Sequence, residues 1–127
     1  MRKFLSLSCL LLVVPFLSAR AGKVVTDSLS SSILGKQVKY NVYLPDGFDN
    51  TGKEYPVVYL LHGLSDDYTA WATKGNMQTV ADELIGTGEA CEMVIIMPNA
   101  GGPDVHHVQN GYFNMPGCRY EDFFFGE

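Results

Sequence analysis

Tyr55-Pro56-Val57-Val58-Tyr59-Leu60-Leu61-His62-Gly63 is the stretch on which the fold turns. Val57 to Leu61 is a continuous apolar run with no polar alternation. Runs of that kind are strands buried on both faces, as in a parallel sheet covered by helices. A second run, Met93-Val94-Ile95-Ile96-Met97, follows about 30 residues later. Between them, Met77, Val80, Ala81, Leu84 and Ile85 recur at i, i+3, i+4, i+7 and i+8, one stripe of an amphipathic helix. Asn76 is placed to act as its N-cap, and Gly86 or Gly88 to stop it. Strand, helix and strand at this spacing form a βαβ unit, so the fold class is α/β.

Upstream, Gln37 to Leu44 alternates. Val38, Tyr40, Val42 and Leu44 share one face, and Lys39, Asn41 and Tyr43 the other. Period-2 alternation predicts a half-exposed strand, paired antiparallel with Lys23 to Ser30 through a turn at Ile33-Leu34-Gly35-Lys36. Pro45-Asp46-Gly47 ends that strand. Downstream, Pro98 to Gly117 reads as loop. Tyr120 to Glu127 reads as the opening of a helix, with Glu121 and Asp122 suited to its first turn.

The amino terminus is different in kind. Met1-Arg2-Lys3 is a short positive start, Phe4 to Leu17 is almost uninterruptedly apolar, and Ala19-Arg20-Ala21 supplies small residues spaced for cleavage after Ala21. These are the three parts of a secretory signal peptide. The apolar run falls short of the roughly 20 residues needed to span a bilayer. The expected organisation is therefore a signal at 1–21 and a single domain at 22–127, in a secreted or periplasmic protein with no membrane association after cleavage. Cleavage removes three basic residues and no acidic one, leaving 6 basic against 14 acidic side chains, a net charge of −8. Such a chain is repelled by phosphate backbones and has no Lys/Arg cluster to overcome that, which excludes nucleic acid as a partner. Two cysteines remain, Cys91 and Cys118. A bridge between them would close a loop of about 27 residues and add about 3 kcal/mol; two thiols behaving as small apolar residues are the alternative.

The chemistry concentrates at His62-Gly63-Leu64-Ser65-Asp66-Asp67, a turn leaving the carboxyl end of a buried strand, where open α/β sheets bind ligands. A backbone N–H there, that of Leu64, is placed to meet a developing oxyanion. A glycine at 63 would let backbone approach substrate closely. Ser65 is followed two positions later by Asp67, not glycine, which suits capping of the next turn better than attack on a carbonyl. Trp71, Tyr112 and Phe113 are candidate walls of a substrate cleft, residue types equally suited to core packing or loop anchoring. Asp104, His106 and His107 are the one polar cluster suggestive of metal. Adjacent histidines project differently and no fourth ligand stands at fixed spacing, so no metal site is assigned.

Val42-Tyr43-Leu44-Pro45, then Tyr55 to Gly63, then Trp71, then Val94-Ile95-Ile96-Met97-Pro98-Asn99 occur in an order that resembles the esterase D-like putative esterase family. That family includes feruloyl and acetyl-xylan esterases, S-formylglutathione hydrolase and the antigen 85 mycolyltransferases. The resemblance covers about residues 30 to 127. It implies an α/β-hydrolase fold, a Ser-His-Asp/Glu triad, no cofactor, and a small-molecule or polysaccharide ester as substrate. Residue by residue, only the oxyanion turn at His62, Gly63 and Leu64 carries over. No Gly-x-Ser-x-Gly occurs in these 127 residues. The expectation is therefore the N-terminal portion of the fold, truncated before the nucleophile, with catalytic serine, acid and histidine absent from this chain. The expected parent is a secreted serine-type carboxylester hydrolase acting on acyl groups such as acetyl or feruloyl. Its alternatives are an acyltransferase of the same fold, a non-catalytic carbohydrate-binding protein using Asn99 to Gly117, and a truncated inactive product.

Overall fold

The computed structural model describes residues 21–49, 52–100 and 112–127. Residues 1–20 of the signal-like segment 1–21, and the Asp104, His106 and His107 cluster, lie outside the described residues. Strands β1 (Lys23–Ser31) and β2 (Lys36–Leu44) form an antiparallel ribbon, in register from Lys23 opposite Leu44 to Ser31 opposite Lys36. They are followed by β3 (Val57–Tyr59), a one-turn helix α1 (Ala70–Thr73), helix α2 (Met77–Gly86) and β4 (Val94–Met97). A small hairpin of β5 (Asn114–Met115) and β6 (Cys118–Arg119) leads into helix α3 (Tyr120–Gly126). The main sheet runs β1-β2-β4-β3, with β4 antiparallel to β2 and parallel to β3.

The sheet carries a cluster on each face. Tyr43, Ile95 and Met97 pack with Met77 of α2, joined by Leu60, Ala81 and Ile85. On the other face Val38 packs with Ala100, Tyr120 and Phe123, the last two from α3. Two coverings explain why β2 departs from the expected half-exposed strand. Asn41 and Tyr43, assigned to its outer face, are 4% and 1% exposed, with Tyr43 packed beneath α2. Asn41 is satisfied by the Thr26 hydroxyl of β1, which donates to its Oδ1 at 2.7 Å. Tyr43 donates its hydroxyl to Asp82 Oδ1 at 2.8 Å.

The Val57–Leu61 run also departs from expectation. It is parallel to β4 as the βαβ reading requires, but Val57, Val58 and Tyr59 are 51%, 40% and 56% exposed. Position is the reason: β3 is an edge strand, and no strand among the described residues pairs with its outer side. In α2 the buried stripe is narrower than read, since Met77, Ala81 and Ile85 reach the core while Val80 and Leu84 line an open apolar hollow. Asn76 stands at the N-cap with left-handed backbone (φ 48°), but its side chain caps no helix N–H; its Oδ1 accepts from the Thr79 hydroxyl. Gly88, also left-handed (φ 78°), turns the chain out of the helix and donates its N–H to the Ile85 carbonyl.

Past the ribbon, Glu127 fastens α3 to the β1–β2 turn. Its carboxylate accepts from the Ser31 hydroxyl at 2.6 Å and the Ser32 N–H at 2.9 Å. Cys91 is an exposed thiol and is not bridged to Cys118, which packs half-buried against the cluster of Tyr120 and Phe123.

Candidate active site

The site is built where β3 and β4 part. In a parallel pair, rungs recur every second residue. The Leu60 N–H donates to the Ile96 carbonyl at 2.8 Å, so the next rung would join the His62 N–H to the Pro98 carbonyl. A side chain stands in that gap instead. The Tyr112 hydroxyl accepts from the His62 N–H at 3.0 Å and points its own hydrogen toward the Pro98 carbonyl, at a long 3.4 Å. The other end of the same peptide unit, the Leu61 carbonyl, accepts from the Trp71 indole N–H at 2.8 Å. One peptide is therefore held from both sides, immediately before the turn.

His62 is the second bridge between the parting strands. Its Nε2 accepts from the Ala100 N–H at 3.1 Å, and its Nδ1 lies 2.9 Å from the Gly63 carbonyl. An acceptor at Nε2 and a donor at Nδ1 define the neutral Nδ1–H tautomer. The ring also stacks obliquely on Tyr112, with centroids 5.1 Å apart. With its lone pair committed to Ala100, His62 shapes the turn and is not available to Ser65 as a base.

Beyond His62 the Gly63 carbonyl accepts from the Asp66 N–H at 3.2 Å, closing a tight turn around Leu64 and Ser65. Ser65 has left-handed backbone (φ 64°), an unfavourable conformation for a residue with a Cβ. The Leu64 side chain is 70% exposed, and its N–H makes no hydrogen bond to any described residue. Gly63 does not need its glycine for room within these residues: a Cβ there would meet only Asp66 Oδ2, at 3.9 Å. Any close approach it serves must come from something outside them.

The far side of the turn is charged and fixed. Asp66 pairs with Lys74. Asp67 Oδ1 accepts from the Thr69 hydroxyl at 2.6 Å and the Thr69 N–H at 2.8 Å, opening α1. The Thr69 hydroxyl bond is the main cause that holds the Asp67 carboxyl below the usual range. These bonds anchor α1, and so Trp71, against the exit of β3.

Of the residues singled out in the sequence, the structure gathers His62, Gly63, Leu64, Trp71 and Tyr112 around one peptide and the turn that follows it. Phe113 stands apart from these contacts and is 68% exposed. Among the described residues no group of His, Cys, Asp and Glu is arranged to hold a metal ion. Pairing of Tyr112 with the His62 amide spans 50 residues and has no local sequence signal. Ala100, whose N–H fixes the histidine tautomer, was not foreseen either, because any backbone N–H can play that part.

A mixed sheet layered between helices, with a tight turn at the carboxyl end of a parallel strand, fits the α/β-hydrolase fold. The chain belongs to the putative esterase family, whose model matches residues 31–121. It is 34% identical over 80 residues to the endo-1,4-beta-xylanase/feruloyl esterase of Xylanibacter ruminicola, a match covering 60% of this chain and 11% of that protein. A solved ferulic acid esterase superimposes with a TM-score of 0.77 at 50% identity, covering 85% of this chain and 41% of the other. A ferulic acid esterase from Anaeromyces mucronatus, solved in complex with ferulic acid, gives 0.63 at 28% identity, covering 84% and 39%. The chain thus spans about two fifths of these solved relatives and about a tenth of the curated one.

Proposed function

We propose that the protein is a secreted serine-type carboxylester hydrolase acting on acyl esters, with feruloyl or acetyl groups on polysaccharide as its substrates. The observation that carries this is the Leu64 N–H at the carboxyl end of β3, engaged by no described residue, in a chain of an esterase family. In this reading Leu64 supplies one oxyanion donor, and the second is the N–H of the residue after the nucleophile. The nucleophilic serine, its histidine and its acid come from outside these 127 residues. Serine Oγ, relieved of its proton by histidine, attacks the ester carbonyl; the alcohol leaves with that proton, and water then releases the acid. Support for the feruloyl preference is the identity of 50% to a solved ferulic acid esterase. Support for secretion is the pattern of residues 1–21.

The test uses the protein as its source makes it. Its intact mass and N-terminal residue are determined, and it is then offered methyl ferulate, acetylated xylan and a fluorophosphonate. Hydrolysis of either ester, with one fluorophosphonate bound covalently to a serine, is the expected result. Stoichiometric binding of feruloylated oligosaccharide with neither hydrolysis nor labelling would replace the esterase by a binding protein.

A further inference from the structure

We propose that Tyr112 and Trp71 are positioning residues for the oxyanion turn, holding the Leu61–His62 peptide from both sides so that the Leu64 N–H is aimed before any ester arrives. The inference rests on the esterase reading above and goes beyond it, because neither residue lies in the triad or offers an oxyanion donor.

The argument begins with the sheet. Parallel strands that simply continued their ladder past Leu60 and Ile96 would close the gap in which a substrate carbonyl must sit. Strands that parted without support would leave the part-buried His62 N–H without a protein partner, and a polar group left unpaired away from water is costly. Tyr112 resolves this by inserting a hydroxyl as a wider rung, accepting from one strand and facing the Pro98 carbonyl of the other. Trp71 satisfies the opposite end of the peptide from α1. A peptide bond is planar, so fixing its N–H and its C=O fixes its orientation about the strand axis. The turn that starts at the next Cα inherits that orientation.

Four further observations fit a device under constraint. The Tyr112 backbone is left-handed (φ 67°), a strained state of the kind found at functional sites. Its ring is wedged between His62 and Phe124, with centroids 5.1 and 5.8 Å away. Burial pushes its phenol up to about 12, so it stays protonated and serves as donor and acceptor at once. Trp71 is fixed from behind by Gly75, where a Cβ would fall 2.7 Å from its Cε3.

The experiment compares the whole protein with Tyr112→Phe and Trp71→Phe, each of which keeps a ring and removes one polar atom. Two readouts are taken: amide exchange at His62 with the Leu64 amide resonance, and kcat and KM on methyl ferulate. The expected result for Tyr112→Phe is faster His62 exchange, a shifted Leu64 resonance, and a fall of about 10- to 100-fold in kcat with KM little changed. Trp71→Phe should move the same resonance and lower kcat in the same sense. Unchanged exchange and resonance in both variants would overturn the positioning role whatever the activity. So would a loss confined to KM. If the parent cleaves no ester at all, the esterase reading fails and takes the catalytic consequence with it, while exchange alone still decides whether the peptide is held from both sides.

A second inference rests on different residues, and on residues 1–21 being a signal. Gly22 is buried, its N–H donates to Asp82 Oδ1 at 2.7 Å, and its carbonyl accepts from Gln78 Nε2 at 2.8 Å. Gln78 and Asp82 stand four apart on α2 and so share a face. A Cβ on residue 22 would lie 2.5 Å from Tyr43 Cε2 and 2.6 Å from the Leu44 carbonyl, so only glycine fits. The geometry points to this as the seat of the mature amino terminus. Hydrolysis of the Ala21–Gly22 peptide bond adds one water, leaves a carboxylate on Ala21, and frees the Gly22 nitrogen as an ammonium. That ammonium meets the Asp82 carboxylate as an ion pair, where the precursor offered it only a neutral amide N–H.

The chain beginning at Gly22 is compared with the same chain acetylated biosynthetically at that nitrogen, each with Asp82 intact and with Asp82→Asn. Free ammonium should raise Tm by about 5 °C over the acetylated form with Asp82 present, and by nothing measurable with asparagine. A native amino terminus elsewhere than Gly22, equal Tm values, or a difference that persists in Asp82→Asn would each overturn it.

Discussion

Replacing Tyr43 with phenylalanine removes a single oxygen from the α2 face of the sheet. The ring is 1% exposed and keeps its neighbours Met77, Ile95 and Met97, so no apolar packing is lost. What disappears is the 2.8 Å bond to Asp82 Oδ1, whose other donor, the Gly22 N–H at 2.7 Å, remains. Bonds to charged groups contribute about 1.5–3 kcal/mol net, and the surviving donor places this one near the low end, about 1.5–2 kcal/mol. At about 4 °C per kcal/mol for a chain of this size, Tm should fall by about 6–8 °C near neutral pH. Alkaline pH supplies the sharper test. Burial first, and then the Asp82 carboxylate, push the Tyr43 phenol well above the ordinary tyrosine range. A folded pKa raised above the unfolded one gives a contribution fully present below about pH 10 and lost as pH rises toward the folded value. The decline approaches about 1.4 kcal/mol per pH unit and is absent from Tyr43→Phe. Thermal unfolding followed by circular dichroism from about pH 7 to 11 should therefore show the two proteins converging above about pH 10. A gap that stays constant across that range, or no gap at neutral pH, would refute the reasoning.

Met97 is fully buried at the centre of the same cluster, so Met97→Ala should cost about 2–5 kcal/mol in chemical denaturation. Gly75→Ala drives a Cβ to 2.9 Å from the Trp71 carbonyl, which is backbone and cannot swing away. A loss of about 1–3 kcal/mol is expected, with a shifted Trp71 indole resonance as the local check. The Ser31 and Ser32 side chains hold the Glu127 carboxyl below its ordinary range, so its contribution is present above about pH 4.5 and lost as pH falls through the lowered value. Glu127→Gln should therefore flatten the acid limb of the stability profile below about pH 4.5, read from unfolding midpoints between about pH 3 and 7.

Elements whose cues are local were legible. The β1–β2 ribbon follows from alternation, α2 from its i, i+4 spacing, and the β3–β4 pair from two apolar runs. Burial was less legible, because it depends on what lands on each face. Tyr43 alternates like an outward residue, yet α2 covers it. The helix begins at Met77, too far along the chain for any pattern within β2 to announce it. The exposure of Val57 to Tyr59 has the same origin, since an edge strand and a central one are written in the same residues. The β5–β6 hairpin did carry a signal: Pro116-Gly117, with Gly117 left-handed at φ 80°, is a two-residue turn. At the site, the His-Gly turn was legible, but the bonds of Trp71 and Tyr112 to one peptide join segments that only the folded chain brings together.

The strand order β1-β2-β4-β3 has a consequence for the time course of synthesis. Strands β1 and β2 are joined by four residues, and such a hairpin closes in about 1–10 μs. Strand β3 has no such partner at hand. Its ladder neighbour is β4, and Val57 meets Val94, 37 positions later. At about 5–20 residues per second, β3 waits roughly 2–7 s for β4 to be made. An apolar strand is unpaired throughout that interval, so holding it apart from other chains is the task that a chaperone meeting this nascent protein would face.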